Sequence, residues 1–346
     1  MKFFRPRPPT SRELVSVVIP CYRYGHYLGP AVTSVLDQRG VQVEVIIVDD
    51  ASGDGSAEVA RKLSDEDDRV RVIVHAENRG HIATFNEGLD AAVGAYVSLL
   101  SADDLLVPGS LARSVSLMQH HPKVGMVYGH AESFTDILPR IRSRDRSWTV
   151  WGGRRWFAAM CGRAFNPVYT PGVVMRREAW QESARYDQRT QHAEDMLMWY
   201  KTALQWDIGR VNNGVQAYYR VHGGNMHLTR FSGALRDLAQ KRNVIDIVYT
   251  DVGAYEPPPV AVRARAMRAL VRTAGRLRAA AAREGASADV LREYDDFARE
   301  TCGREPSAAP SSAQRLWDAF IEKPVATFLR RVDGHLRWRR WRRYGI

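Results

Sequence analysis

A chain of 346 residues with 45% hydrophobic content is long enough to bury a large core, as one big domain with an appendage or as two smaller domains. Its formal charge of +11 calls for an anionic partner, whether nucleotide phosphates, nucleic acid or acidic lipid, and does not choose among them. Cys21, Cys161 and Cys302 are widely spaced and without a partner pattern, which argues against a disulfide framework or a zinc site and for a reducing cytoplasm. The first nine residues hold no apolar core of signal-peptide length, and no run of roughly 18 apolar residues reads as a spanning helix. A protein that is soluble or lies on a membrane surface is expected.

In chain order, residues 14–20 are a nearly continuous apolar run ended by Pro20, the pattern of a strand covered on both faces. A helix is expected over 30–38, and Gly40 breaks it. Residues 43–50 read as a second strand tipped by Asp49 and Asp50 and followed by the turn-rich stretch 51–56. A polar helix over 57–63, a strand over 70–74, the loop 77–80 and a helix over 84–93 come next. Alternation at this spacing predicts parallel pairing in an α/β sheet.

Residues 94–109 climb from Gly94 through a short apolar run to the adjacent acids Asp103 and Asp104, and Pro108-Gly109 stops them. Such a strand puts two carboxylates at the edge where open α/β sheets hold their ligands. Paired hard oxygens suit Mg²⁺ or Mn²⁺, which in turn neutralises a diphosphate. The alternative is that Asp103 caps the next turn and Asp104 is merely solvated. After the first strand stands Cys21-Tyr22-Arg23-Tyr24-Gly25, not G-x-G-x-x-G, and no G-x-x-x-x-G-K-S/T loop occurs. Both absences argue against a dinucleotide site and a P-loop ATPase.

Residues 124–129 read as another strand, and the polar, arginine-rich stretch 133–151 as a long loop or irregular ribbon over the site. Trp151, Trp156 and Phe157 fit either a sugar or acceptor pocket or the core. Residues 166–177 give a turn and then a strand. Glu194 and Asp195 open a helix whose apolar positions recur at Met196, Trp199, Tyr200, Ala203 and Leu204, so both acids lie in its first turn, where the dipole favours negative charge. Capping and catalysis are both open on that pattern. Residues 215–225 form a strand leading into a glycine loop that carries His222.

Beyond Phe231, helices are expected around 244–248 and over 262–283, 289–301 and 312–332, with a Ser-Ala-Pro linker before the last. The tail from Arg330 to Tyr344 sets seven arginines against one acid, Asp333, and interleaves them with Trp338 and Trp341. That is the composition of an interfacial anchor on anionic lipid, or of a solvated face. No RNA- or DNA-binding motif accompanies it, so nucleic acid is not an expected partner.

Five separated motifs carry a family resemblance: residues 15–36, residues 45–56, Asn78-Arg79-Gly80, Asn86-Glu87-Gly88 and Ser101-Ala102-Asp103-Asp104. In this order they resemble the donor-binding half of the family 2 glycosyltransferases, over roughly residues 15–225. The resemblance implies an α/β, GT-A type nucleotide-diphospho-sugar transferase fold, a mainly parallel sheet flanked by helices with a helical C-terminal extension. Residues 1–125 would be the donor-binding half, 126–230 the acceptor-binding and catalytic half of the same domain, and 231–346 the basic helical extension.

It implies an inverting enzyme that moves a sugar from a nucleotide diphosphate donor, UDP-linked, to the hydroxyl of a glycan, a lipid-linked acceptor or a small molecule. By the same resemblance Asp50 reads the base, the segment from Pro20 to Tyr22 packs beside it, and Arg79 lies near base and ribose. Asp103 and Asp104 hold ribose and a Mg²⁺ or Mn²⁺ that bridges the phosphates, with His222 approaching that metal. Asp195 is the general base, and Glu194 orients it or the acceptor.

The chemistry of these side chains agrees. A carboxylate accepts from a uracil-type N–H, the Tyr22 ring offers a stacking face worth roughly 1–3 kcal/mol per base, and Arg79 offers a planar fork of donors. Two positions depart from the family pattern. Arg23 stands where Asn is common, and Ser101 where an additional Asp is frequent, which shortens the metal motif and makes His222 a candidate extra ligand. A nucleotidyltransferase, and a non-catalytic membrane-surface or nucleic-acid-binding protein acting through the tail, are the alternatives. The expected place is the cytoplasm, peripheral on the inner face of the membrane.

Overall fold

A strand whose residues are apolar on both faces is satisfied only inside a covered sheet, and β2 (Leu14–Cys21) and β3 (Gln42–Asp49) lie there. The computed structural model describes residues 1–141, 147–163, 166–183, 185–225, 233–251 and 255–302. A short edge strand, β1 (Lys2–Phe4), precedes β2. After it come α1 (Gly25–Leu36), β3, α2 (Ser56–Glu66), β4 (Val70–Val74), α3 (His81–Asp90) and β5 (Tyr96–Leu99).

These four strands pair in parallel in the order β4-β3-β2-β5. The chain therefore winds one way from β2 through β3 to β4 and then crosses back to β5, which makes the gap between β2 and β5 a topological switch point. Register sets Cys21 opposite Asp49 and Val18 opposite Leu99, so the loops after β3, β2 and β5 leave one edge side by side.

The remaining elements extend this sheet. They are β6 (Leu105–Leu106), α4 (Ser110–His120), β7 (Val124–Phe134), β8 (Ser147–Trp151), α5 (Gly153–Cys161), β9 (Val174–Arg176), α6 (Arg177–Glu182), α7 (Glu194–Gln205) and β10 (Asp207–Arg220). The order along the sheet is β1-β8-β10-β7-β9-β5-β2-β3-β4, with β6 on β10. β9 runs antiparallel to both β5 and β7 and joins the two halves. The helices α8 (Ala234–Thr250), α9 (Val260–Arg283) and α10 (Ala288–Cys302) follow.

The period-2 alternation of β2 divides the core. Val15, Val17 and Ile19 face α1 and α4 through Leu28, Val32, Leu111 and Val115, while Val18 joins Leu89, Phe157, Trp199, Val244 and Leu270 on the other face. Among the described residues no helix is long and apolar enough to cross a membrane.

Two expectations are corrected. α1 starts at Gly25, not near residue 30, and carries Pro30 inside it, because burial of Leu28, Ala31, Val32 and Val35 outweighs the lost backbone donor. The stretch 133–151 is not loop or irregular ribbon throughout: β7 runs on to Phe134, and Ser147–Trp151 is β8, a regular strand paired with β1 and β10. Trp151, Trp156 and Phe157 take the core alternative. The helix expected over 312–332 and the arginine-tryptophan tail lie outside the described residues.

At Gly153 a Cβ would overlap the carbonyl oxygens of Ala203 and Trp206, where α5 begins against the end of α7. Gly275, in the middle of α9, faces open space. Gly153→Ala is expected to cost about 1–3 kcal/mol by overpacking, and Gly275→Ala to add up to about 1 kcal/mol through helix propensity. Urea unfolding followed by circular dichroism checks both signs.

Candidate active site

Asp50 is the first residue after β3, and it is buried. Its Oδ1 accepts the Arg79 N–H at 2.7 Å and lies 2.7 Å from His75 Nδ1, and its Oδ2 accepts the Gly80 N–H at 2.9 Å. Burial pushes this carboxyl up, but the donors from Arg79, His75 and Gly80 outweigh it and hold it below the usual range. The two backbone donors converge because Gly80 adopts φ +83°, a conformation open to glycine. His75 Nε2 reaches Glu87 at 3.1 Å, and Glu87 also pairs with the Arg79 guanidinium. Asp50 therefore organises the loop that presents Arg79. His75 was not anticipated, although its place just past β4, beside the end of β3, was a readable signal.

Tyr22 is 43% exposed after β2, with the Arg23 guanidinium 5.1 Å from its ring centroid, while Pro20 is part of β2 itself, opposite Val48. Arg23 has φ 61°, in the left-handed region that Asn tolerates better, so an Asn preference at this position has a backbone reason. The Ser52 hydroxyl receives the Arg23 N–H at 2.9 Å and stabilises that turn.

Asp103 and Asp104 follow β5, across β2 from Asp50. Asp104 Oδ1 accepts the Arg220 N–H at 2.9 Å, whereas its Oδ2 is buried with no hydrogen-bond partner among the described residues. Burial and then the neighbouring Asp103 charge push the Asp104 carboxyl well up, against the pull of Arg220. Asp103 Oδ2 accepts from His222 Nε2 at 2.9 Å, and His222 Nδ1 accepts the Gly224 N–H at 3.1 Å, which assigns the ring proton to Nε2.

Around them stands an aromatic wall. The Arg220 guanidinium lies 4.7 Å from the Tyr27 ring and 4.4 Å from the Phe134 ring, and Tyr24 and Tyr27 pack against His222 at 5.6 and 5.7 Å. Arg220, Tyr24 and Tyr27 had not been singled out, because their spacing along the chain gives no hint that they meet.

No group of three His, Cys, Asp or Glu among the described residues forms a ready-made cation cage. The orphaned Asp104 Oδ2 beside Asp103 nonetheless suits a hard divalent ion of the kind held by one or two carboxylates and completed by substrate phosphates. His222 is committed to Asp103 through its Nε2–H, so it would ligate through Nε2 only after that proton moves, or through Nδ1 by releasing the Gly224 N–H.

Glu194 and Asp195 open α7, whose N-cap position is Ala193, so neither acid is the N-cap residue, although Asp195 does hold a first-turn N–H. Asp195 Oδ1 accepts the N–H of the adjoining Met196 at 2.6 Å, and its Oδ2 accepts from Asn166 Nδ2 at 3.0 Å. Burial raises the Asp195 carboxyl to about 6 against these two donors. Burial and the Asp195 charge raise Glu194 to about 8. The Glu194 carboxyl lies 3.6 Å from His81 Nε2, and its Oε2 is buried with no hydrogen-bond partner among the described residues.

One contact and one shared neighbour link the acids. His81, next to the Gly80 that binds Asp50, meets Glu194. Tyr219, on β10 beside Arg220, has its hydroxyl pushed up by burial and by the charges of Asp104, Asp103 and Asp195, and its ring lies 5.6 Å from Tyr169. Asp50, the Asp103-Asp104 pair and the Glu194-Asp195 pair therefore border one region at the carboxyl edge of the sheet. Such a cluster of perturbed acids marks a functional site.

Residues 16–181 match the model of glycosyl transferase family 2. The chain is 30% identical over 244 residues to an uncharacterized glycosyltransferase of Nostoc sp., an overlap of 67% of this chain and 72% of that protein. The chain belongs to glycosyltransferase family 2. This glycosyltransferase is also 35% identical over 137 residues to glycosyltransferase GlyG of Streptococcus pneumoniae, covering 38% of this chain and 45% of that one.

Two solved structures share its fold. One is S. aureus TarS 1-349 in complex with UDP-GlcNAc, with TM-score 0.63 and 15% identity over 84% of this chain and 81% of that one. The other is the mannosyltransferase PcManGT from Pyrobaculum calidifontis in complex with GDP-Man and Mn²⁺, with TM-score 0.57 and 20% identity over 86% and 87%. The fold is of the GT-A type, and the protein is an enzyme of the glycosyltransferase class.

Asp50→Asn is expected to destabilise this glycosyltransferase by about 1–3 kcal/mol at neutral pH, because an amide NH₂ would face one of the loop donors. The folded carboxyl sits below its ordinary value, so its contribution is present above that value and fades as pH falls through the folded one. Urea titrations should therefore show the gap between wild type and variant closing in strong acid.

Proposed function

We propose that this family 2 glycosyltransferase is inverting and transfers a sugar from a nucleotide diphosphate donor, UDP-linked, to a hydroxyl acceptor, with Asp195 as general base. What supports the reading is a carboxyl that burial raises to about 6, held by Asn166 at 3.0 Å, whose charge acts on the same Tyr219 hydroxyl as the charges of Asp103 and Asp104. A base with that value is largely ionised at neutral pH yet still takes a proton readily. Glu194, raised to about 8, stays protonated there, so the pair holds a single charge.

The donor class is supported by the two structural neighbours, one bound to UDP-GlcNAc and one to GDP-Man with Mn²⁺. In this reading the base rests between the exposed Tyr22 ring and the loop that Asp50 orders, and Arg79 serves base and ribose. Asp103 and Asp104 would hold ribose and the ion, with His222 beside them. When bound, Mg²⁺ or Mn²⁺ supplies Lewis-acid stabilisation of charge on the departing diphosphate, worth several kcal/mol.

The acceptor hydroxyl gives its proton to Asp195 as its oxygen attacks the anomeric carbon from the face opposite the diphosphate. A single displacement needs no covalent sugar intermediate, and it inverts the configuration. Chemistry alone frames the acceptor as a hydroxyl on a glycan, a lipid-linked acceptor or a small molecule. The arginine-tryptophan tail is proposed as a contact to an anionic membrane surface.

Asp195→Asn is expected to lower kcat by about 10²–10⁴ with donor affinity unchanged by calorimetry. Retention of wild-type turnover would overturn the assignment. In the wild type, kcat/KM should rise with pH through about 6 and then level, because the base is active once its proton has left. Removal of divalent metal with a chelator should abolish turnover, Mn²⁺ should restore it, and Asp104→Asn should lose the metal-dependent part of donor binding.

A further inference from the structure

The helix α9 (Val260–Arg283) carries seven arginines and no carboxylate in its 24 residues. The fold sorts them into two sets. Arg263 pairs with Asp246 at 2.7 Å, and Arg278 pairs with Asp295 at 2.7 Å, so these two are neutralised by the neighbouring helices α8 and α10. Arg265, Arg268, Arg272, Arg276 and Arg283 are all exposed, and none has a carboxylate partner among the described residues.

At about 100° per residue those five fall within an arc of about 80°, and at about 1.5 Å per residue they span about 27 Å. The hydrogen bonds that they do make leave their charge intact. Arg265 donates to the Ala158 carbonyl, Arg276 to the Arg272 carbonyl and Arg283 to the Ala279 carbonyl.

From this sorting we infer that the outer face of α9 is a docking surface for an anionic phospholipid bilayer. A straight row of like charges on one side of a rigid helix can meet a flat sheet of phosphates along its whole length. The small residues Gly275, at the margin of this arc, and Ala279, within it, are exposed as well, and they let the helix lie close to such a plane. No aromatic ring occurs in α9 to stack on nucleic-acid bases, which favours lipid over single-stranded polymers.

The composition of the C-terminal segment adds to the positive charge. Residues 303–346 contain ten Lys and Arg against four Asp and Glu. The surface and the tail are different segments of the chain, separated in sequence by α10, so each can be neutralised by substitution alone. Attraction of this kind is screened by salt, which makes it separable from apolar insertion.

The test is co-sedimentation of the full chain with phosphatidylcholine vesicles and with vesicles one-third phosphatidylglycerol, at low and high salt. Wild type should bind the anionic vesicles alone and be released by salt. The triple change Arg268→Glu, Arg272→Glu and Arg276→Glu should cut partitioning by at least about tenfold, and the Arg→Gln version, which keeps helix propensity, by less. Donor hydrolysis without lipid and the thermal midpoint should stay near wild type.

A companion variant with Arg337, Arg339, Arg340, Arg342 and Arg343 changed to Gln should keep binding that the α9 changes remove. Three results would overturn the inference: undiminished binding by the glutamate variant, equal binding to neutral vesicles, or wild type that ignores vesicles while binding duplex DNA at the same salt.

Discussion

Keeping five carboxyl groups near one sheet edge, most of them out of water, is the constraint on which the rest of this protein depends. Asp50, Asp103, Asp104, Glu194 and Asp195 come from three separate parts of the chain. Each needs its own compensation, because a buried carboxylate without donors is costly. Asp50 receives it in full from the loop and His75. Asp104 and Glu194 do not: each keeps one buried oxygen without a partner among the described residues, and burial raises both. Satisfied acids build the scaffold, and unsatisfied ones are left for ligands and protons.

That difference also has a direction in pH. A carboxyl raised in the folded state binds its proton more tightly there, so raising the pH from the ordinary carboxylate range toward neutrality withdraws stability at Asp195 and Glu194. The same range ionises the base on which the proposed chemistry relies. Some loss of stability and gain of activity are thus two results of one titration, as is usual where strained groups sit in active sites.

The architecture explains how such distant acids meet. A switch point between β2 and β5 opens a crevice, and β9, antiparallel to both β5 and β7, carries the sheet from the donor side to the acceptor side without a break. β10 then returns along β7 and β6 and delivers Tyr219, Arg220 and His222 to the acids that follow β5. The helices α8 to α10 pack on the face that holds α5 and α7, which steadies the start of α7 where Asp195 stands.

The first half of the fold was legible because each strand there is a dense apolar run closed by acids or glycine, and parallel crossovers follow from the spacing. Short strands next to charge, such as β8, were hidden among arginines, and Pro30 masked the true start of α1. Of the site, the acids themselves could be found by type and position. His75, Tyr219, Arg220 and the tyrosines against His222 could not, since they act through neighbours far away in the chain. The linear order of residues determined which groups carry charge and where the strands end. Only the tertiary structure decided which carboxyl oxygens find donors and which arginines of α9 find acids, because desolvation and pairing depend on what folds against a side chain and not on what precedes it.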